Sequence, residues 1–380
     1  MLSTSTAPRT KTEAAGRLLQ LASLSATVVV PTYREVENIP HLIERLDSVR
    51  EKANLDLELL FMDDDSRDGS DELVQSLGLP WVRLVTRKAN RSLSWSVLDG
   101  LLLSERDVVI VMDGDLSHPP EKIPELLTAL HDGAEVVVGS RFTAGGSTAD
   151  DWGVFRWLNS RVATVLALPL TTLSDPMSGF FALRRETFTG GRDFNPVGYK
   201  ILLELIVKCR CTRVAEVAIH FDNRMYGKSK LSVREQLRYL QHLRRLYIYK
   251  YGTWSHLAQF LTVGASGMVV NLLALTALLR LGERPAPSVA FAIGISILWN
   301  FALNRRFSFS YARSQSIVRQ FLGFVAACSV GALINYFCTT ALWDAFAYKQ
   351  LAAAVGILAG TGLNFAANRF LIFRMKHVRT

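Results

Sequence analysis

Val108-Val109-Ile110-Val111-Met112-Asp113-Gly114-Asp115 is the most informative stretch of the chain. Its β-branched run reads as a buried strand, and its two carboxylates lie at the strand's C-terminal end. Open α/β sheets bind ligands at that edge. A pair of acidic oxygens there suits a hard divalent cation, which can in turn grip a diphosphate. Taken alone, the segment reads first as a strand followed by an acidic turn, so the flanking sequence must decide.

Outward from it, strands and helices alternate. Ala26 to Val30 reads as a strand ended by Pro31, and residues 37–52 as a helix burying Leu42, Ile43, Leu46 and Val49. Leu57 to Met62 reads as a strand that runs into Asp63-Asp64-Asp65-Ser66-Arg67-Asp68-Gly69-Ser70, with a helix near 70–77. A strand over 82–86, a helix over 93–104, a helix over 121–131 and a strand over 135–139 follow. This alternation predicts a mostly parallel sheet covered on both faces. Two strands end in acidic clusters, as a nucleotide–metal site would need. G-x-G-x-x-G and P-loop patterns are absent, which disfavours a dinucleotide dehydrogenase and an ATPase.

The 380 residues suffice for two domains. Mean hydropathy is +0.19, and the apolar residues concentrate in 257–373. Formal net charge is +9. The basic residues flank apolar segments, which points to a membrane surface rather than nucleic acid. Cys209, Cys211, Cys328 and Cys338 have no zinc spacing and read as reduced structural thiols. Residues 1–25 are polar and small, without the apolar core of a secretory signal. They read as a flexible tail, and the domain that follows is expected in the cytoplasm.

Six segments occur in order: Val-Val-Pro-Thr-Tyr-Arg-Glu (29–35), the acidic run 63–70, Asp-Gly-Asp-Leu-Ser-His-Pro-Pro (113–120), Gly-Ser-Arg (139–141), Asp-Pro-Met-Ser-Gly-Phe (175–180) and Arg-x5-Lys (224–230). Together they resemble the family 2 glycosyltransferases of the GT-A (Rossmann-like α/β) fold, and within them the dolichyl-phosphate mannose synthase group. The resemblance covers about residues 25–235, within an expected domain over 26–231. It implies that Pro31, Tyr33, Glu35 and Asp64 hold the donor's nucleoside. Asp113, Gly114 and Asp115 would bind the donor diphosphate, the two carboxylates through Mg2+ or Mn2+. Arg224 and Lys230 would clamp phosphates, and Arg141, Arg156 and Ser160 would receive an acceptor phosphate. Asp113, Asp115 and Arg141 are the expected catalytic residues. Three positions depart from the family. Arg34 stands where Asn is common, Ser117 where a metal-ligating Gln is common, and 89–95 lacks a glycine-rich turn. Ser117 is then at most a weak third ligand.

The resemblance implies hexose transfer, mannose from GDP-mannose, onto dolichyl or polyprenyl phosphate, with UDP-glucose as the rival donor. Such transfer passes through an oxocarbenium-like transition state. Cationic side chains and a cation would steady the leaving nucleotide. A phosphate monoester, with its second pKa near ~6, is already anionic at neutral pH. It needs no general base, and its direct attack inverts the anomeric centre. Arginine suits this acceptor through its bidentate fork. Some of these residues also have plainer readings. Tyr33 can pack at a strand end, Arg141 and Arg156 can be surface charges, and Asp175 can cap a turn. His118 reads as a turn-stabilising side chain rather than a base. Glu204, an acid in the apolar helix 202–207, is either paired structurally or faces the site.

Residues 152–173 read as an amphipathic interfacial helix, and 232–256 as a basic, aromatic juxtamembrane helix. Four apolar spans follow, at about 257–280, 286–303, 318–343 and 351–371, long enough or nearly so to cross a bilayer. They form two repeats offset by 64 residues: Phe260 with Phe324, Gly267 with Gly331, Asn271 with Asn335, 299–305 with 363–369, and Phe309 with Phe373. Duplication of a hairpin explains this, and the half resembles the GtrA-like membrane family. Arg305, Arg306 and Arg313, with Arg374, Lys376 and Arg379 in the basic tail 374–380, place both termini in the cytoplasm. Asn271, Asn300, Asn335 and Asn364 read as interhelical hydrogen-bonding groups, or as a lipid-headgroup path. The expected partners are the nucleotide sugar, the lipid phosphate and the bilayer, without nucleic acid, and homo-oligomerisation through the membrane half is left open. A lipid-linked-sugar flippase is the rival from another class.

Overall fold

The computed structural model describes residues 24–149, 154–198, 200–223, 233–342, 345 and 349–373. The chain divides into two compact units, Met1–Lys250 and Tyr251–Thr380.

The first unit is built on a seven-stranded sheet of order β3-β2-β1-β4-β7-β5-β8. The strands are β1 (Ser25–Thr32), β2 (Asp56–Asp63), β3 (Val82–Thr86), β4 (Val108–Val111), β5 (Val136–Ser140), β7 (Phe181–Arg184) and β8 (Val214–Ala218). All neighbours pair in parallel except β7, which runs antiparallel between β4 and β5. Every residue of β4 is buried, as a central strand covered on both faces requires. The short strands β6 (Ser147–Thr148) and β9 (His220–Phe221) form a separate pair.

Helices α1 (Ile39–Ala53), α2 (Ser70–Leu77), α3 (Leu93–Leu103) and α4 (Ile123–His131) follow the first, second, third and fourth strands, as the alternation predicts. One core layer packs α1 and α4 residues such as Leu42, Leu46, Leu126 and Leu130 against Val28, Phe61 and Ile110. The other packs Val97 and Leu101 of α3 and Leu202 and Ile206 against Val29, Met62 and Val109. Alternate residues of one strand thus face opposite layers.

The chain goes from β1 outward to β2 and β3, then returns to place β4 on the other side of β1. This reversal opens a crevice beyond the C-terminal ends of β1 and β4. Later come α5 (Val154–Ala167), α6 (Arg185–Thr189), α7 (Ile201–Lys208) and α8 (Val233–Tyr251). Helix α5 is shorter than the expected 152–173. Residues 168–170 turn instead, around Pro169, which has no N–H to continue a helix. Tyr239 and Tyr247 of α8 donate to the Ala163 and Leu166 carbonyls of α5. Between them they leave Leu158, Val162, Val165, Leu237 and Leu240 exposed. The expected juxtamembrane helix ends early, at Gly252, whose φ of 52° a side chain would resist.

The second unit contains α9 (Thr253–Arg280), α10 (Pro285–Leu303), α11 (Ile317–Ala341) and α12 (Lys349–Ala366). Among the described residues, three stretches are long and apolar enough to cross a membrane: Thr253–Arg280, Ile317–Cys338 and Val355–Ile372. The remaining expected span forms the 19-residue helix α10. The internal repeat extends to backbone detail. Both α10 and α12 run into a π turn, Asn304–Ser308 and Ala367–Ile372. Phe309 N–H donates to Asn304 O and Phe373 N–H to Asn368 O, each at 2.8 Å. Phe309 and Phe373 then stack, ring centroids 4.9 Å apart. Their neighbours pair across the repeat: Phe260 meets Phe365, and Phe324 meets Phe301, each at 5.7 Å. The interhelical hydrogen-bonding expectation holds at Asn364 of α12, whose side chain bonds Cys328 of α11. Asn300 packs on Gly267 and Asn364 on Gly331, and among the described residues their Oδ1 atoms are buried without a partner.

Candidate active site

The site begins where β1 and β4 end. Met112 N–H donates to Val29 O at 3.2 Å, so the Asp113-Gly114-Asp115 turn starts beside the end of β1. A Cβ on Gly114 would lie 3.2 Å from Val30 Cγ1, and glycine lets this turn cross β1 closely. Leu116 has φ of 62°. That left-handed bend folds Ser117 back, and its hydroxyl and amide donate to Asp115 Oδ1 at 2.5 and 3.2 Å. Ser117 and Asp115 are both nearly buried, whereas the Asp113 side chain is 28% exposed.

His118 supports this turn from behind. Asp113 N–H donates to its Nδ1 at 3.1 Å, and its ring stacks on Phe180. Burial pulls its pKa below the usual histidine value, against the opposing pull of Asp113. The ring is therefore neutral with its proton on Nε2. This agrees with a turn-stabilising side chain rather than a base.

The acidic run after β2 is tied to the β1 loop. Asp64 N–H donates to Thr32 O at 3.0 Å, Arg34 N–H to Ser66 Oγ at 2.8 Å, and Val36 N–H to Asp68 Oδ2 at 3.2 Å. Asp63 does not point outward; its carboxylate accepts from Thr32, Ser66 N–H and Ser66 Oγ. Asp64 is held by Arg87, and by Ser96 Oγ at 3.1 Å, while Arg87 Nε reaches Asp99 at 2.8 Å. Sequence reasoning missed Arg87, whose only signal is a cation just beyond β3. Tyr33 is 43% exposed, with the Arg34 guanidinium 5.3 Å from its ring centre. Pro31 pairs with Met62 in the strand register, and Glu35 accepts from Asn38 Nδ2.

The 175–180 loop closes the far side. A Cβ on Gly179 would sit 3.1 and 3.2 Å from the Asp113 carboxylate oxygens. Ser178 Oγ donates to Gly139 O at 2.7 Å. Asp175, fully buried, takes Arg141 Nε and Nη2 at 2.7 Å each and its amide at 3.1 Å. Arg141 is thus no stray surface charge. One edge of its fork is engaged by Asp175, and Nη1 is the nitrogen that this pair does not use. Ser160 lies on α5 with its carbonyl bonded to Thr164 Oγ1. The Arg156 side chain, Arg224 and Lys230 lie outside the described residues. Glu204 is paired structurally: Lys208 Nζ is 2.6 Å from its Oε1 and Asn195 N–H 2.7 Å.

Among the described residues, no group of three or more His, Cys, Asp or Glu side chains is gathered to hold a metal unaided. Asp113 and Asp115 offer two hard oxygen donors at an open edge. That set fits an ion such as Mg2+, which keeps waters and shares substrate phosphates with one or two carboxylates.

Residues 27–190 match the family model for glycosyl transferase family 2, and 259–373 match that for the GtrA/DPMS transmembrane domain. The chain is 36% identical to the dolichol-phosphate mannosyltransferase of Pyrococcus furiosus over 351 residues, covering 91% of this chain and 98% of that relative. The enzyme of the same name from Mycosarcoma maydis is 41% identical over 60% of this chain and 81% of its own length. For Saccharomyces cerevisiae the figures are 39%, 63% and 93%. The archaeal relative therefore aligns through both units, and the acidic edge built by β1, β2 and β4 lies within the catalytic match. On these grounds the chain belongs to the dolichol-phosphate mannosyltransferase family, as a membrane glycosyltransferase of family 2.

Proposed function

We propose that the chain transfers mannose from GDP-mannose to a dolichyl or other polyprenyl phosphate, with inversion, at the cytoplasmic face of the membrane. The observation that carries this reading is the partly exposed Asp113 beside the buried, braced Asp115 at the sheet's switch point. The names of the relatives support the sugar and the acceptor. A divalent cation held by Asp113 and Asp115 would supply Lewis-acid neutralisation of the departing diphosphate.

This chain's residues do the rest. Ser117 and the His118 ring fix the turn, so the two carboxylates keep one geometry. Asp64, set by Arg87 and Ser96, faces the nucleoside with Pro31, Tyr33 and Glu35. Gly179 leaves room beside Asp113 where a side chain would intrude. The acceptor phosphate arrives as an anion and meets Arg141, with Arg156 and Ser160 on α5; Arg224 and Lys230 complete the phosphate contacts. No proton need be removed, and the His118 Nδ1 is already engaged by the Asp113 amide. The exposed leucines and valines of α5 and α8 suit the membrane interface, from which a lipid-linked phosphate would enter. The four apolar segments would cross the bilayer, and the basic connection 305–313 with the basic tail would put both termini in the cytoplasm.

The test is to incubate membranes carrying the chain with labelled GDP-mannose, or labelled UDP-glucose, and polyprenyl phosphate. Label from GDP-mannose should enter the lipid phase; entry from UDP-glucose alone would overturn the donor assignment.

A further inference from the structure

Lys200 stands outside every sequence motif, yet it reaches the site from behind. Its Nζ donates to the Met177 carbonyl at 2.8 Å. Met177 lies two residues before Gly179, whose Cα faces both carboxylate oxygens of Asp113. Other contacts also hold the loop: Asp175 on Arg141 and Glu216, Ser178 Oγ on Gly139, and Ser178 N–H on Asp175 O at 3.3 Å. Lys200 holds the carbonyl side of the Met177–Ser178 peptide.

Lys200 is itself fixed. It is the residue that opens α7, and its carbonyl accepts a hydrogen bond from the His242 ring of α8. Among the described residues His242 Nε2 has no partner, which assigns that bond to Nδ1. His242 and Glu204 are each only 1% exposed, and Nδ1 lies 3.8 Å from Glu204 Oε2. Buried polar groups of this kind cannot shift without leaving a donor or acceptor unpaired. Two hydrogen bonds therefore run from α8 through one residue to the loop against Asp113.

The geometry points to Lys200 as a positioning residue for glycosyl transfer: it holds Met177 to Gly179 against Asp113, and so keeps that carboxylate where cation and donor diphosphate bind. This rests on the proposed role of Asp113. Its ammonium acts by a hydrogen bond to the chain, not by touching substrate.

The test measures Mn2+ affinity of the full-length protein saturated with GDP by electron paramagnetic resonance, alongside donor KM and kcat. Lys200→Met should weaken Mn2+ binding and raise donor KM by about tenfold, a sub-ångström effect where 1 Å costs about a hundredfold. Lys200→Arg should recover most of both. Should Lys200→Met not fold, Lys200→Gln, a milder change too short to reach Met177, should show the same shifts. Mn2+ binding lost in Asp113→Ala but intact in both Lys200→Met and Lys200→Gln overturns this inference alone. Mn2+ binding that survives Asp113→Ala overturns the reading of Asp113, and this inference with it.

Discussion

Replacing Arg141 with alanine should cost the catalytic unit much of its stability, whatever Arg141 does for the reaction. Asp175 is 0% exposed and the Arg141 side chain 10%. Alanine keeps the amide bond to Asp175 at 3.1 Å and deletes the two guanidinium bonds at 2.7 Å. Charge-assisted hydrogen bonds contribute about 1.5–3 kcal/mol each, and stripping one partner from a buried ion pair costs about 3–5 kcal/mol. The two figures agree, and the loss is large beside a typical total of about 5–15 kcal/mol. Urea unfolding in detergent, followed by tryptophan fluorescence, measures it. Arg141→Met combined with Asp175→Asn removes both charges, keeps an acceptor for the amide at position 141, and should return stability to within about 1 kcal/mol of wild type. A double variant that is stable but silent in transfer would place Arg141 at the acceptor as well. An Arg141→Ala variant within about 0.5 kcal/mol of wild type, the range of an ordinary surface change, would refute the reasoning.

Gly179→Ala should lower kcat/KM by about tenfold with an unchanged melting temperature, because its methyl crowds both Asp113 oxygens by only a few tenths of an ångström; steady-state kinetics and a thermal melt check this. In the membrane unit, Gly331→Ala would set a Cβ 2.9 Å from Gly360 O and 3.1 Å from Asn364 Nδ2, whereas Gly264 faces open space. The first change should destabilise by about 1–3 kcal/mol, as overpacking does, and Gly264→Ala should be neutral in the same detergent melt. His242 sets a pH dependence. Burial holds its pKa below the unfolded value of about 6.5, so the unfolded chain binds the extra proton. Stability should be full above that value and fall as the pH drops toward the folded pKa; His242→Gln should flatten this slope in urea melts between pH 7.5 and 5.

The parts legible in the sequence were those written in local pattern. Strands β1 to β5 are short apolar runs, each followed by turn residues, and all five form where the runs lie. The repeat was legible because each copy keeps Asn-Phe and Asn-Arg pairs at fixed spacing, and both copies bend into the same π turn. Strand β7 was missed: it has four residues, and its antiparallel place between β4 and β5 is a tertiary choice. Gly252 breaks a helix whose basic and aromatic pattern runs on past it. Within the site, the Asp113–Asp115 edge could be placed from one strand. The seat of Asp175 on Arg141, 34 residues away, could not, because no spacing rule joins a loop to a strand end across the sheet. Arg87 and Lys200 share that limit, since their partners lie on other elements.

The central claim is that Asp113 and Asp115 together carry the transfer. The most direct measurement is incorporation of label from GDP-mannose into polyprenyl phosphate by purified protein carrying Asp115→Ala, compared with wild type at equal folded concentration. The account predicts that wild type forms the labelled lipid and that the variant loses at least about a hundredfold of that rate. Equal rates in the two proteins would contradict it.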